Sequence, residues 1–381
     1  MARPKLLYFL HNYHNRAGTE EHVKTLSSEL KADFEIAFIF PTNGQVILRV
    51  EDSGEELSFG GEPVEAPFFV KKQPVVNAAI FEALSSFSPN LIHIHHIFNW
   101  PMNAIETVLD FAASKGIKTL LTFHDYFFLT PIFTMQGVNT VAEAMSENYS
   151  MAAFQKDIRE FLKQRQDYFR NQFKRVDTFI APSEFAARAI GEIFKLEFKV
   201  IPHGITPFKT LKKKQVRTHA KLRFGYVGSL LPQKGWQELL KAWAAAEVAD
   251  SELHLYGGSQ VPNLLPQQAF YHGVYNQPDL PQILSEIDIG IIPSVFPETF
   301  SIVLSEMQQA GLPVIGTSFG ALPERITVGK TGWIVNPYQT LEFSKLFKEI
   351  YSNRSWESWE IPIPKRSSEM AKDYTTLYSS S

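Results

Sequence analysis

Cysteine is absent from all 381 residues, which excludes disulfides and thiolate metal sites. Charge of one sign is absent too. With 37 Lys and Arg against 40 Asp and Glu, the net charge is −3, so the basic excess that holds a nucleic-acid backbone is missing and no nucleic acid is expected as a partner. Long hydrophobic runs are also lacking. The apolar opening of MARPKLLYFLHNYH is interrupted by His11 and has no small-residue cleavage site, so it reads as a first buried strand, not a membrane span or signal peptide. A cytoplasmic chain is therefore expected, with any membrane contact peripheral, on the inner face of the cell membrane. What is plentiful is core material. Hydrophobic residues make up 44% and aromatics 13%, enough to fill two cores in a chain of this length.

The most informative stretch is Asp288 to Gly316, DIGIIPSVFPETFSIVLSEMQQAGLPVIG. A short apolar run ends at Pro293-Ser294, a loop carries Pro297-Glu298-Thr299, a helical pattern runs from Ser301 to Ala310, and Gly311 stops it before Pro313-Val-Ile. This is a strand–loop–helix–strand unit. Glu306 shares the helix face with Ile302, Val303 and Ala310, so it belongs on the side laid against the sheet. A carboxylate there needs hydrogen-bond donors, and the vicinal diol of a ribose offers two. The amides of the first turn, around Thr299, Phe300, Ser301 and Ile302, suit a diphosphate, which leaves loop residue Glu298 to reach the hydroxyls beyond the phosphates.

PETFSIVLSE, GLPVIG, GALPERI and TGWIV together resemble the donor-site signature of the family-4 retaining glycosyltransferases of GT-B fold. The resemblance implies an α/β protein of two Rossmann-like domains facing across a cleft, with a C-terminal helix crossing back to the first. It further implies a nucleotide diphosphate sugar as donor, Glu298 on the sugar, Glu306 on the ribose, and no metal or other cofactor.

Along the chain, Lys5 to Leu10 reads as a strand. A loop with Ala17-Gly18-Thr19 and a helix with Val23, Leu26 and Leu30 inward follow it, then a strand from Phe34 to Phe40. Residues 41 to 75 suggest small strands or a loop excursion. NLIHIH, Asn90 to His95, is a strand after a helix near Asn77 to Phe87. Its His93, His95 and His96 suggest a metal set, but no carboxylate lies near in sequence, and strand packing is the preferred reading. The strand Ile117 to Phe123 ends in His124-Asp125-Tyr126, at the strand end where open α/β sheets carry chemistry. TFHDYFFLTP resembles the strand end where the family places a histidine against the donor sugar, and that role is carried to His124. Asp125 is expected to orient the loop. The resemblance likewise places Gly18, Thr19 and Tyr126 on the acceptor side.

Pro131 to Arg175 reads as helical, aromatic and basic, with Phe154, Ile158, Phe161 and Leu162 on one face and Lys156, Arg159, Lys163 and Arg165 outside it. An amphipathic helix packed on the domain is the plainer reading; a peripheral contact of 154–175 with anionic lipid or an acceptor phosphate is the alternative. Ser183 is a candidate N-cap. APSEF and KVIPHGI resemble the family's close of the first domain, at about residue 205, with His203 where asparagine is more usual. Lys209 to Lys221 reads as a solvated linker.

The second domain, 222–365, opens with a strand from Phe224 to Val227, then Gly228-Ser229, and a loop with Pro232 and Lys234-Gly235 before a helix. A cation where a strand end meets a helix N-terminus suits a diphosphate. By the resemblance Gly228 approaches the phosphate and Lys234 neutralises it, while Ser229 stands where many relatives have arginine. The base is expected near Val274 or Tyr275. Residues 366–381 resemble the crossover helix. The expected reaction is hexosyl transfer with retention to a hydroxyl of a saccharide or lipid-linked acceptor, in cell-surface polysaccharide or glycoconjugate synthesis. Glu298, Lys234 and His124 would be its catalytic residues. A sugar-nucleotide epimerase or phosphorylase of the same fold, or a catalytically silent sugar-nucleotide-binding partner protein, remain the alternatives.

Overall fold

The structure is a computed structural model that describes residues 2–15, 17–42, 44–60, 73–131, 158–209, 221–258 and 264–379. These form two compact units. Unit 1 holds the described residues up to Gly204 and the last helix; unit 2 holds Ile205–Arg366.

Unit 1 runs β1 (Lys5–Phe9), α1 (Gly18–Leu30), β2 (Glu35–Thr42), β3 (Gln45–Val50), β4 (Glu56–Phe59), α2 (Pro74–Phe87), β5 (Leu91–Ile94), α3 (Ala104–Lys115), β6 (Lys118–Thr122), α4 (Ile158–Phe173), β7 (Thr178–Ala181), α5 (Glu184–Phe194) and β8 (Phe198–Val200). Its sheet has the order β4-β3-β2-β1-β5-β6-β7-β8, parallel except for the hairpin edge of β3 and β4. The strands bury both faces, which is why Leu6 to Leu10 reads as an unbroken apolar run. The excursion expected after residue 41 is this edge hairpin as far as Gly60; residues 61–72 lie outside the described residues. Gly18 and Thr19, expected in a loop, instead open α1. Ser183 caps α5, its Oγ accepting from the Ala186 amide at 3.0 Å.

Unit 2 runs β9 (Leu222–Val227), α6 (Trp236–Ala246), β10 (Ser251–Tyr256), β11 (Ala269–Tyr271), α7 (Leu280–Ser285), β12 (Ile289–Ile292), α8 (Ile302–Gln309), β13 (Val314–Thr317), α9 (Leu322–Arg325), β14 (Gly332–Val335) and α10 (Thr340–Ser352). Its parallel sheet has the order β11-β10-β9-β12-β13-β14. Most of the linker expected at Lys209 to Lys221 lies outside the described residues.

The final helix, α11 (Ser367–Ser379), belongs to unit 1. Met370, Tyr374 and Tyr378 recur every four residues, so they form one face, and they complete a core with Tyr8, Leu26, Leu30, Phe34 and Phe38. The Tyr378 hydroxyl lies 2.7 Å from His93 Nδ1, and Ser367 Oγ donates to Glu29 at 2.6 Å. In both sheets the strand order reverses beside the first strand of the unit, between β1 and β5 and between β9 and β12. The carboxyl ends at such a reversal open a crevice where ligands bind.

Candidate active site

In unit 2 the crevice is built by β9, β12 and the loops that follow them. The chain leaves β12 through Pro293 and Ser294 to Glu298, which is 7% exposed. Glu298 Oε1 accepts from Lys234 Nζ at 2.8 Å and from Ser294 Oγ at 2.7 Å. Lys234 arrives on a short 3-10 turn, Pro232–Lys234, and Gly235 follows with φ +69°. A Cβ on Gly235 would sit 1.8 Å from the Pro293 carbonyl oxygen, and one on Gly320 would sit 2.3 Å from the Glu298 backbone. Both glycines are therefore required for the cation and the carboxylate to meet.

Eight residues on, Glu306 lies buried on α8, with Oε1 accepting from Gln277 Nε2 at 2.7 Å. The loop between the glutamates is pinned by Arg325. Its guanidinium lies 3.7 Å from the Phe300 ring centroid and donates to the carbonyls of Phe300 and Ser301 and to Ser305 Oγ. Burial pushes this guanidinium down to about 10. Ser301, just before α8, has φ +69° and ψ 92°, a left-handed conformation that disfavours a side chain; Thr299 and Ile302 flank this stretch half-buried. At the end of β9, Gly228 lies against Gly257, whose Cβ would be 1.6 Å from the Gly228 carbonyl oxygen. The Ser229 carbonyl accepts from the Tyr226 hydroxyl at 2.6 Å. Val274 is 82% exposed.

The structure thus joins Lys234 to Glu298 directly, while Glu306 is engaged by Gln277. Gln277 was not singled out from the sequence; Ser294 was read only as the end of an apolar run, and Gly320 and Arg325 only as parts of the GALPERI motif, with no site role given to any of them.

In unit 1 the ends of β1, β5 and β6 gather histidines. His95 Nδ1 lies 2.9 Å from His124 Nε2. The His22 ring lies 5.1 Å from that of His124 and 4.0 Å from that of His203. His93 is held between Tyr378 and the Thr122 hydroxyl, 2.8 Å away. Burial holds His93, His95 and His124 well below the usual imidazole range and pushes His22 down to about 3, so these rings are neutral. The grouping differs from the one the strand spacing suggested. His96 turns away to Asp125, at 2.9 Å, and its ring lies 4.4 Å from that of His11, which faces Glu20 at 3.2 Å. Asp125 Oδ1 also accepts from the Phe127 amide at 2.8 Å, so it ties the loop after β6. Three imidazoles, of His22, His95 and His124, are close enough to share a metal ion.

Two expectations need correction. Tyr126, expected on the acceptor side, is 1% exposed and part of the core. Arg165, expected outside the amphipathic face of α4, is 2% exposed. It stacks over Phe127 and Phe169 at 4.5 and 5.0 Å and donates to the Phe127 carbonyl; ring faces and a carbonyl receive the cation inside the protein. Burial pushes it down to about 9. Lys163 is exposed as expected; Phe154 and Lys156 lie outside the described residues.

Known proteins resemble the chain along its length. A search of solved structures finds sucrose-phosphate synthase from Thermosynechococcus elongatus, 16% identical, covering all of both chains with a TM-score of 0.69. It also finds Anabaena HepE in complex with UDP-glucose, 16% identical, covering 98% of this chain and 94% of that one with a TM-score of 0.62. At these identities the likeness shows the fold, which is α/β with two Rossmann-like units, the GT-B fold. Among curated proteins, an uncharacterized 41.2 kDa protein in the cps region of Klebsiella pneumoniae is 27% identical over 54% of this chain and 62% of its own length. A D-inositol 3-phosphate glycosyltransferase of Corynebacterium glutamicum is 34% identical over 29% of this chain and 30% of its own. The chain thus matches less than two thirds of the length of these relatives. Residues 221–353 match the profile of the glycosyl transferases group 1. Residues 16–207, half of the chain, match that of glycosyltransferase family 4, and the chain belongs to that family.

Proposed function

We propose that the protein transfers a glycosyl group from a nucleotide diphosphate sugar to an acceptor hydroxyl, with retention at the anomeric carbon. The observation that carries this reading is the Lys234–Glu298–Ser294 cluster at the strand-order reversal of unit 2, followed in the chain by Glu306 on α8. A cation, a buried carboxylate and a second carboxylate on the following helix match, in order, what a diphosphate, a sugar and a ribose would need.

In this mechanism Lys234 and the amides about Ser301 and Ile302, with the Gly228-Ser229 turn, neutralise the diphosphate. Glu298 takes the sugar hydroxyls and Glu306 the ribose diol, displacing Gln277. The bond from the anomeric carbon to the diphosphate oxygen breaks, a bond to the acceptor oxygen forms on the same face, and the acceptor proton passes to the departing diphosphate. The protein contributes position and charge, with no protein nucleophile and no catalytic metal. Ser229 supplies no charge to the leaving group, so Lys234 carries that task. Val274 covers the base. The acceptor is assigned to the carboxyl end of the unit 1 sheet, with Gly18, Thr19, His124 and Asp125 around it. A saccharide or lipid-linked acceptor in cell-surface polysaccharide or glycoconjugate synthesis is supported by the Klebsiella relative in a cps region.

Calorimetry against UDP, GDP, dTDP, ADP and their common sugar conjugates tests the reading, with Glu306→Ala as control. One nucleotide bound far more tightly than the rest, and weakened by the substitution, is expected. Binding of none of them by the folded chain would remove the transferase assignment.

A further inference from the structure

The donor chemistry leaves one feature of unit 1 unexplained. His22 is 2% exposed on α1, and neither of its ring nitrogens has a hydrogen-bond partner; His95 Nε2, on a residue with no exposure, has none either. A neutral imidazole carries one donor and one acceptor, and leaving such atoms buried and unsatisfied is costly enough that native proteins supply a water or an ion. Three such nitrogens lie on two adjacent rings, those of His22 and His95, with centroids 5.8 Å apart.

These atoms lie beside a third imidazole. One ring nitrogen from each of His22, His95 and His124 lies within 4.8 Å of the others. We propose that His22, His95 and His124 form a binding site for a divalent transition-metal ion of the zinc class. Tetrahedral zinc with bonds of about 2.1 Å holds its ligand nitrogens roughly 3.4 Å apart, so small rotations of the rings close the set. The ring of His203, 4.0 Å from that of His22 and 5.5 Å from that of His124, is the residue placed to complete the shell or to hold a metal-bound water. His93 supports it from behind. Fixed by Tyr378 and Thr122, its ring packs 3.9 Å from that of His95 and limits how that ligand turns.

The ligand set decides the metal class. Three imidazoles without a carboxylate suit zinc, cobalt, nickel or copper and do not suit magnesium or calcium, which take oxygen ligands. The site is thus distinct from any magnesium that accompanies a nucleotide diphosphate, and it lies in unit 1, whereas the Lys234–Glu298 cluster lies in unit 2. It does not depend on the donor reading. In the metal-loaded chain the His124 nitrogen is committed to the ion, so loading and any contact of that nitrogen with a sugar exclude each other.

The test uses the whole chain, purified without a histidine tag and stripped with a chelator, then titrated with Co2+ and next with Zn2+. The expected result is one equivalent bound per chain, the visible bands of tetrahedral cobalt, bleaching of those bands by one equivalent of zinc, and no competition from Mg2+. His22→Gln, checked for folding by circular dichroism, is expected to weaken binding by more than the ~100-fold that loss of a merely supporting residue costs. Should that variant not fold, the wild-type cobalt spectrum decides alone. A folded wild-type chain that stays colourless with cobalt would mean that a buried water fills the gap, and the proposal would fall; so would unchanged affinity in a folded His22→Gln chain.

Discussion

Glu298 does two jobs through one oxygen, holding Lys234 and Ser294 before any ligand arrives. Glu298→Ala is expected to lower transfer by at least ~100-fold, the scale of losing one group that stabilises developing charge. The fold should survive, because Lys234 is one third exposed and water can solvate it; rates and far-ultraviolet circular dichroism on the same preparation check both halves. Ser301 gives the opposite kind of test. At φ +69° its side chain strains the turn before α8, so Ser301→Gly is expected to stabilise the chain by about 1 kcal/mol, read in a denaturant melt. The two glutamates were legible from spacing and company, since seven intervening residues carry a loop carboxylate onto the buried face of a helix. Gln277 was not: it meets Glu306 across 29 residues of chain, and no local pattern marks a glutamine that satisfies a distant carboxylate.

At the scale of elements, α9 and the turn before it act as a clamp on the loop between the glutamates. The Ala321 amide donates to the Glu298 carbonyl at 2.8 Å, and Gly320 leaves room for that approach. Gly320→Ala is expected to cost roughly 1–3 kcal/mol as an overpacked contact and to weaken nucleotide binding with it, which calorimetry and thermal melts would show together. The last helix has a different task. Removing α11 takes Met370, Tyr374 and Tyr378 from the unit 1 core, each worth about 1.5–3 kcal/mol of burial. A chain ending at residue 366 is expected to lose the cooperative unfolding of unit 1; an unchanged transition would contradict this. Most strands were readable to within a residue or two because parallel strands are continuous apolar runs, while the run read as Phe270 to Val274 ends at Tyr271. The edge hairpin was not assigned, since its turn and bulk composition resemble a loop.

For the molecule as a whole, the residues assigned to the nucleotide sugar lie in unit 2, from Gly228 to Glu306, apart from His124 in unit 1; unit 2 has its own cores around Phe224, Trp243 and Phe347 and around Leu304 and Met307. A unit with its own core can fold alone. Residues 205–366 expressed separately are therefore expected to fold and to bind the nucleoside diphosphate that the whole chain selects. At a hundredfold excess over Kd that ligand would stabilise the fragment by about 2.7 kcal/mol. A folded fragment without ligand-induced stabilisation, beside a whole chain that binds, would place essential contacts in unit 1.

The sequence by itself determined the two α/β units and the family, because these rest on periodicity, punctuation and residue types that act locally. The tertiary structure alone decided which side chains meet. Arg165 went inside because Phe127 and Phe169 present ring faces to it, and His22 joined His95 and His124 although strand spacing had grouped His93, His95 and His96. Such encounters join residues far apart in the chain, a long-range packing choice made by buried area and hydrogen-bond satisfaction over the whole sheet.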